Sequence, residues 1–351
     1  MGFGVGSLGL RYLIWFCYWV SDDELADLRS DTVKSRRAAF SPGTGKNLRV
    51  QFKSFVLFCN YFKLCAVPVS QDTLDIYVQF LSRSFKSIVS IKNYVNGVKV
   101  LHLTVGAPFP ETDYAFQLLL RGLGRLNPHE EAQALPVTPL LLLRIHEIMD
   151  LSNTFNKALW AVFVMSFFLF ARKANMVPPS VTQFDVRKHL ARGDISDSVD
   201  GLVVVFKWSK TIQLGERHLT IPLLALPDSH LCPVRAYRDM LRAVPAGGSS
   251  PAFLYLSDKS KPVTLTHVTF VESFRRLLKR VGVNPKGYSG HSFRRGGASC
   301  AFQAGVPGEL VQLHGDWRSD AYLKYLTVPM QVRLQVTQRM RSFISQGSSV
   351  G

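Results

Sequence analysis

Residues 158–171 read ALWAVFVMSFFLFA, and only Ser166 among these fourteen is polar. A helix that is apolar on every side has no face to offer water, so other elements must wrap it. At 1.5 Å per residue it would rise about 21 Å, short of the roughly 30 Å hydrocarbon layer of a membrane. The run therefore predicts the central helix of a globular domain, expected over 156–171 after a first helix over 139–149. A chain of 351 residues has room for such a domain and a second one. Arg172 follows the last apolar residue directly, so a buried helix delivers a guanidinium at its C-terminal end.

Upstream, 44–126 carries helical periodicity. Phe52, Phe55, Val56, Cys59 and Phe62 make one apolar stripe, and Leu74, Tyr77, Val78 and Leu81 a second. Ile91, Tyr94, Val95 and Val98 make a third, and Phe116, Leu119, Leu120 and Leu123 a fourth. These predict a four-helix domain over 44–127, with ten Lys/Arg against four Asp/Glu on its outer faces in 44–126. Lys53, Lys92 and Lys99 are its candidate phosphate contacts. The polar, proline-bounded stretch at 128–137 reads as a linker. Residues 1–43 read as a poorly ordered tail, and 346–351 as another. The tail's apolar run at 12–20 is too short to span a membrane and poorly matched to a signal peptide. KSRR at 34–37 reads as a nuclear address or a phosphate contact.

Downstream of Arg172, the β-branched runs 201–211 and 217–223 flank a short polar loop and predict a hairpin with Lys210 at its mouth. Two further helices are expected over 231–244 and 266–281. In the second, Phe270, Phe274, Leu277 and Leu278 form the buried face, and Arg275, Arg276, Lys279 and Arg280 line the other. Four cations without an interleaved acid suit a phosphate track. The net charge of +17 and a pI near 9.8 likewise point to a polyanionic partner. Five cysteines, at 17, 59, 65, 232 and 300, form no CxxC pair, which suits free thiols in a reducing compartment and no zinc site.

The stretch 289–325 concentrates the chemistry. His291 and Arg294 are three apart and share one helical face, so both can meet one ligand. Arginine offers a planar fork matched to two phosphate oxygens, and histidine moves protons near neutral pH. Trp317 follows, and then Tyr322 and Tyr325, either of which could act as a nucleophile if cations stabilise its phenolate. Neither a carboxylate cluster nor a Cys/His ligand set accompanies them, so no metal site is expected.

GHSFRRGGAS and LHGDWRSDAYLKYL resemble the C-terminal signature of the tyrosine recombinase (phage integrase) family: H-x-x-R, then a His or Trp, then the nucleophilic Tyr. They are most similar to recombinases of eukaryotic mobile elements of the DIRS, Ngaro and Crypton kind. The resemblance implies a mainly α fold with a small β-sheet. A helical core-binding (SAM-like) domain over 44–127 and an α+β catalytic domain over 138–345 would form a C-shaped clamp on DNA.

Residue by residue, the resemblance implies that Tyr325 attacks the scissile phosphate and that Arg172 and Arg294 bind it. Lys210 would protonate the leaving oxygen, with Lys207 the alternative. His291 would assist proton transfer, and Trp317 would fill the His/Trp position, with His314 the alternative. Tyr325 lies eight residues past Trp317 and fits the family spacing better than Tyr322, which lies five past. One departure is Asn175, where the family often carries an acid three residues after its first arginine. The implied partners are double-stranded DNA and three further copies of the chain in a homotetramer on DNA. No cofactor, small-molecule substrate or membrane is implied, and the expected compartment is the nucleus. Two other readings share these residues: a type IB topoisomerase, and a domesticated DNA-binding protein without activity.

Overall fold

The computed structural model describes residues 22–129, 133–213, 215–328 and 330–347. The apolar run at 12–20 and Cys17 lie outside them. The chain divides into two compact units, Met1–Glu131 and Ala132–Gly351. Among the described residues no helix is long and apolar enough to cross a membrane.

Among the described residues the regular elements of the first unit are helices: α1 (Asp22–Ala38), α2 (Pro42–Phe62), α3 (Gln71–Ser82), α4 (Ile88–Val105) and α5 (Tyr114–Leu126). Side-chain caps set three of the starts. Ser41, Ser70 and Asp113 each accept a hydrogen bond from the backbone N–H three residues on. Helix α1 occupies 22–38 of the stretch expected as a tail, and 1–21 lie outside the described residues. Its sequence begins with acids (DDELAD) and ends with cations (KSRR), the arrangement that complements a helix dipole.

The core of this unit joins Phe55, Phe58 and Cys59 to Leu74, Tyr77, Val78 and Leu81, and to Ile91, Val98, Phe116, Leu120 and Leu123. Val56 and Phe62 of the expected first stripe are exposed, whereas Phe58 is buried. Helix α2 starts earlier than expected, at Pro42, and its buried line runs Leu48, Phe55, Phe58, Cys59, which rotates 56 and 62 outward. Val98 O and Val69 N both bond the buried His102 ring, which ties α4 to the turn before α3.

The second unit is built around the apolar run. Helices α6 (Pro139–Glu147) and α7 (Thr154–Phe168) come first; Asn153 caps α7 by accepting from Asn156 N at 2.8 Å. Every residue from Ala158 to Phe167 is buried. A short turn of helix, α8 (Lys173–Met176), precedes an antiparallel sheet in the order β1 (Ile195–Ser198), β2 (Gly201–Phe206), β3 (Leu219–Leu224). Val204 pairs with Ile195 on one side and Ile221 on the other. Strand β1, which the sequence did not signal, is polar and mostly exposed at the sheet edge. Then follow α9 (Pro233–Ala243), the two-stranded sheet β4 (Leu254–Leu256) with β5 (Pro262–Thr264), α10 (His267–Arg280), α11 (Ser292–Gln303) and α12 (Gly308–His314). A 3₁₀ turn (Asp320–Tyr325) and α13 (Met330–Gly347) close the described chain. The architecture is mostly helical with small antiparallel sheets, as the sequence analysis expects.

Phe163 at the centre of α7 contacts Phe270 (5.3 Å between ring centroids), Phe274 (5.5 Å) and Phe293 (5.1 Å), so one aromatic cluster joins α7, α10 and α11. The joint is closest at two glycines of α11. A Cβ on Gly296 would come 1.9 Å from the Val137 carbonyl oxygen, and one on Gly297 2.0 Å from that of Phe167. Backbone therefore lies on backbone here. Gly297→Ala must push α11 off α7 and is expected to destabilise this unit by about 1–3 kcal/mol. Urea unfolding followed by the fluorescence of Trp160, Trp208 and Trp317 checks this; an unchanged midpoint would remove the close-contact argument.

Candidate active site

Three segments that share no sequence neighbourhood meet at the C-terminal end of α7. The helix ends with Phe170 in a left-handed conformation (φ +46°), and Ala171 N bonds Ser166 O at 3.1 Å. Glycine usually occupies this position, since other side chains strain there. The turn points the Phe170 carbonyl at α11 and releases Arg172 as the residue before α8.

Arg294, one turn into α11, is 2% exposed. Its two terminal nitrogens donate to the carbonyls of Phe170 and Gly315, the second at 2.6 Å. The guanidinium carbon lies 3.6 Å from the centre of the Trp317 ring and 5.5 Å from that of Tyr325. Burial, and then repulsion from Arg172, press the Arg294 pKa down to about 9, with Tyr325 and Asp316 acting in the opposite sense. It stays charged at neutral pH. Burial also lowers Arg172, again opposed by Tyr325 and Asp316. Among the described residues neither arginine is in a salt bridge. Two adjacent, largely desolvated cations without an ion-pair partner are costly unless an anion is their intended ligand.

The other residues singled out from sequence gather around this pair. The Tyr325 ring lies 5.3 Å from Trp317 and 6.4 Å from His291. Its segment is held on α11: Ser299 Oγ donates to Tyr325 O, Thr327 N donates to Ser299 Oγ at 2.8 Å, and Arg295 reaches Lys324 O. Tyr322 points elsewhere, for a Cβ on Gly308 would meet its hydroxyl at 2.7 Å. The Trp317 ring is buried against Arg294, and its buried Nε1 has no hydrogen-bond partner among the described residues.

His291 stands at the cleft surface. Its pKa is below the usual imidazole value through desolvation and through the charges of Arg172, Arg294, Lys173 and Lys210. Because the ring is exposed, the cations are the firmer cause. That effect of Lys210 also places the exposed lysine within electrostatic reach of the histidine. Lys207, the alternative, is tied to Asp194 at 2.7 Å. His314 braces the end of α7 through Nε2 and the Phe168 carbonyl (2.9 Å) and packs on Phe170 at 4.5 Å.

Asp316 gave no sequence signal of function, although Gly315–Asp316 is a turn dipeptide after a helix. It is 7% exposed and in the left-handed region (φ +55°). It accepts hydrogen bonds from Ser209 Oγ (3.2 Å), Thr211 Oγ1 and Arg217 Nη2. Burial works against its charge, yet Arg217, Thr211 and Ser209 outweigh burial and hold the carboxyl below the usual range. Asn175, which stands where the family often has an acid, donates to Trp208 O at 2.8 Å.

The surface cations divide by location. Arg275, Arg276, Lys279 and Arg280 occupy the exposed side of α10, apart from the cleft, and Arg275 extends toward Tyr288 O. Lys53, Lys92 and Lys99 are exposed on the first unit, the last two lining an open groove of about 680 Å³ with Asn96. Among the described residues no group of three His, Cys, Asp or Glu side chains could hold a metal ion.

No protein-family model matches the sequence, and no curated protein sequence matches it significantly. Solved structures do. A lambda integrase dimer bound to a COC′ core site aligns over 92% of this chain and 82% of its own, with TM-score 0.54 and 14% identity. The Tn1549 transposon integrase in complex with circular intermediate DNA aligns over 90% and 98%, with TM-score 0.53 and 14% identity. The XerH site-specific recombinase bound to palindromic difH substrate aligns over 78% and 70%, with TM-score 0.50 and 14% identity. The chain has the fold of the tyrosine recombinases.

The charge arrangement predicts a titration. His291 should titrate below the ordinary value of about 6.5 in an NMR pH series. Arg172→Gln removes a cation that opposes imidazolium, so its midpoint should rise. A midpoint unmoved by that substitution would separate His291 from the arginine pair.

Proposed function

We propose that this chain is a site-specific DNA recombinase or integrase that breaks and rejoins strands through a tyrosine-linked intermediate. The observation that carries it is the pair Arg172 and Arg294, cations in no ion pair among the described residues and within electrostatic reach of the Tyr325 hydroxyl. Such a pair suits a phosphodiester, whose two non-bridging oxygens gain charge as an oxygen nucleophile adds. The Tyr325 oxygen attacks phosphorus, the P–O5′ bond breaks, and a 3′-phosphotyrosyl link remains. The departing 5′-oxygen takes its proton from Lys210, with His291 neutral and placed to pass protons. Trp317 Nε1 supplies a further donor to the phosphate. A 5′-hydroxyl of another strand reverses the step, so the bond energy is conserved.

The DNA-bound state of the structural neighbours supports double-stranded DNA as the partner, and the exposed cations of both units supply its electrostatic component. The wording of GHSFRRGGAS and LHGDWRSDAYLKYL supports a mobile-element origin, integration as the biological outcome and action in the nucleus. Exchange between two duplexes requires several nucleophiles, hence a tetramer on DNA. Exposed Leu334, Met340 and Phe343 on α13 are apolar surface that suits contact with a neighbouring copy.

Incubation with a nicked suicide DNA duplex tests the chemistry. Tyr325→Phe should abolish the covalent adduct while DNA remains bound, and Tyr322→Phe should retain it. The opposite pattern would transfer the nucleophile to Tyr322; no adduct with the unaltered chain would leave a DNA-binding protein without this activity. Duplex affinity should also fall steeply with salt, roughly 10³-fold between 50 and 200 mM for half a dozen phosphate contacts. A flat salt response would remove the phosphate-contact role of the α10 cations.

A further inference from the structure

Lys210 is exposed and in no salt bridge among the described residues, so nothing fixes the ammonium itself. Its backbone is another matter. Ser209 and Ile212 exchange backbone hydrogen bonds at 3.0 and 3.1 Å, and Gln213 Nε2 donates to Lys210 O at 2.8 Å. The Ser209 and Thr211 hydroxyls, 2.8 Å apart, lie on either side of Lys210 in sequence, and both reach Asp316. Arg217, on the far side of the same loop, completes the set, and Arg318 bonds Thr211 O. One carboxylate thus gathers three donors from the loop that presents the lysine.

Asp316 is equally tied to the phosphate side of the site. Its neighbours Gly315 and Trp317 are respectively the carbonyl that accepts from Arg294 and the ring stacked on that guanidinium. Beside Gly315 lies a small, partly open cavity of about 20 Å³ lined by Arg172, Asn175, Ser209, Arg294 and Asp316 among others. That volume suits a single water, and the lining supplies the polar partners it needs. The left-handed backbone at 316, which Asp adopts more readily than most residues, turns the carboxylate toward the loop.

We propose that Asp316 is a positioning residue: its carboxylate clasps the Lys210 loop to the Gly315–Trp317 turn and so sets the lysine ammonium against a phosphate held by Arg172 and Arg294. The inference rests on the reading of Lys210 as the proton donor given above. Without the clasp the arginines still bind the phosphate, but the lysine is no longer held at the leaving oxygen. Misplacement on the order of 1 Å can cost a hundredfold in rate.

The test uses suicide duplexes with either oxygen or sulfur at the scissile 5′ position. With sulfur, the Tyr325 oxygen attacks phosphorus, the P–S bond breaks, and the thiolate departs without needing a proton. Asp316→Asn keeps the shape and the backbone preference of the residue but loses its charge and one acceptor. It should bind duplex normally, cleave the oxygen substrate roughly 10- to 100-fold more slowly, and recover most of that loss on the sulfur substrate, as Lys210→Ala should. Thr211→Val, which removes one clasp donor and leaves Asp316 intact, should move in the same direction and carries the test if the first variant does not fold. Equal slowing of Asp316→Asn on both substrates, with Lys210→Ala restored by sulfur, would overturn the clasp and leave the assignment of Lys210 standing. Lys210→Ala unrestored by sulfur would overturn that assignment, and the clasp's role with it.

Discussion

A buried guanidinium that forms no ion pair among the described residues governs this structure. Arg294 is withdrawn from water, and two carbonyl oxygens and an indole face are what hold it. Carbonyl dipoles orient a guanidinium but do not neutralise it, so the site keeps a net positive potential that only an incoming anion relieves. Arg172 intensifies this, and Asp316, reached through the loop hydroxyls and Arg217, limits it without forming an ion pair with either arginine. One buried carboxylate thus offsets part of the charge of two arginines.

That balance depends on sub-ångström backbone placement, and the core supplies it. The Phe163, Phe270, Phe274 and Phe293 cluster locks the angle between α7 and α11, while Gly297 lets their backbones touch and Gly296 lets α11 touch the chain at Val137. Only then can the side chain of residue 294 reach Phe170 O. The Tyr325 segment is fastened to α11 by Ser299 and Arg295, so the tyrosine inherits the same frame. The lysine loop alone stands on a separate support, the β2–β3 hairpin, and one carboxylate connects it to the rest.

Some of this was legible beforehand for clear reasons. The apolar run at 158–171 predicts a wrapped helix, and it is one as far as Phe168, three residues short of the expected end, where Phe170 turns left-handed. The β-branched runs around Lys210 can only pair, and they do so as β2 and β3. Phe270, Phe274, Leu277 and Leu278 face inward on α10 as their spacing requires. Other features carried too little local signal. Strand β1 reads ISDS and is a strand because β2 offers it a free edge; β4 and β5 are three residues each. In α2, stripes one position apart were equally apolar, and the neighbouring helices chose the one with Phe58.

The sequence by itself determined the longer helices, the β2–β3 hairpin and the reactive side chains they carry, because hydrophobic period, caps and residue chemistry act over a few neighbours. It named His291, Arg294, Trp317 and two tyrosines, between which helical periodicity did not choose and only the family spacing favoured Tyr325. Tertiary structure made the choices that depend on direction. It turned the Tyr322 hydroxyl onto Gly308 and the Tyr325 ring toward Arg294, paired Lys207 with Asp194, and set His314 behind α7. Asp316 is the clearest case. Its meaning comes from Ser209, Thr211 and Arg217, about a hundred positions away, and contacts at that separation follow from how the chain packs rather than from any pattern along it.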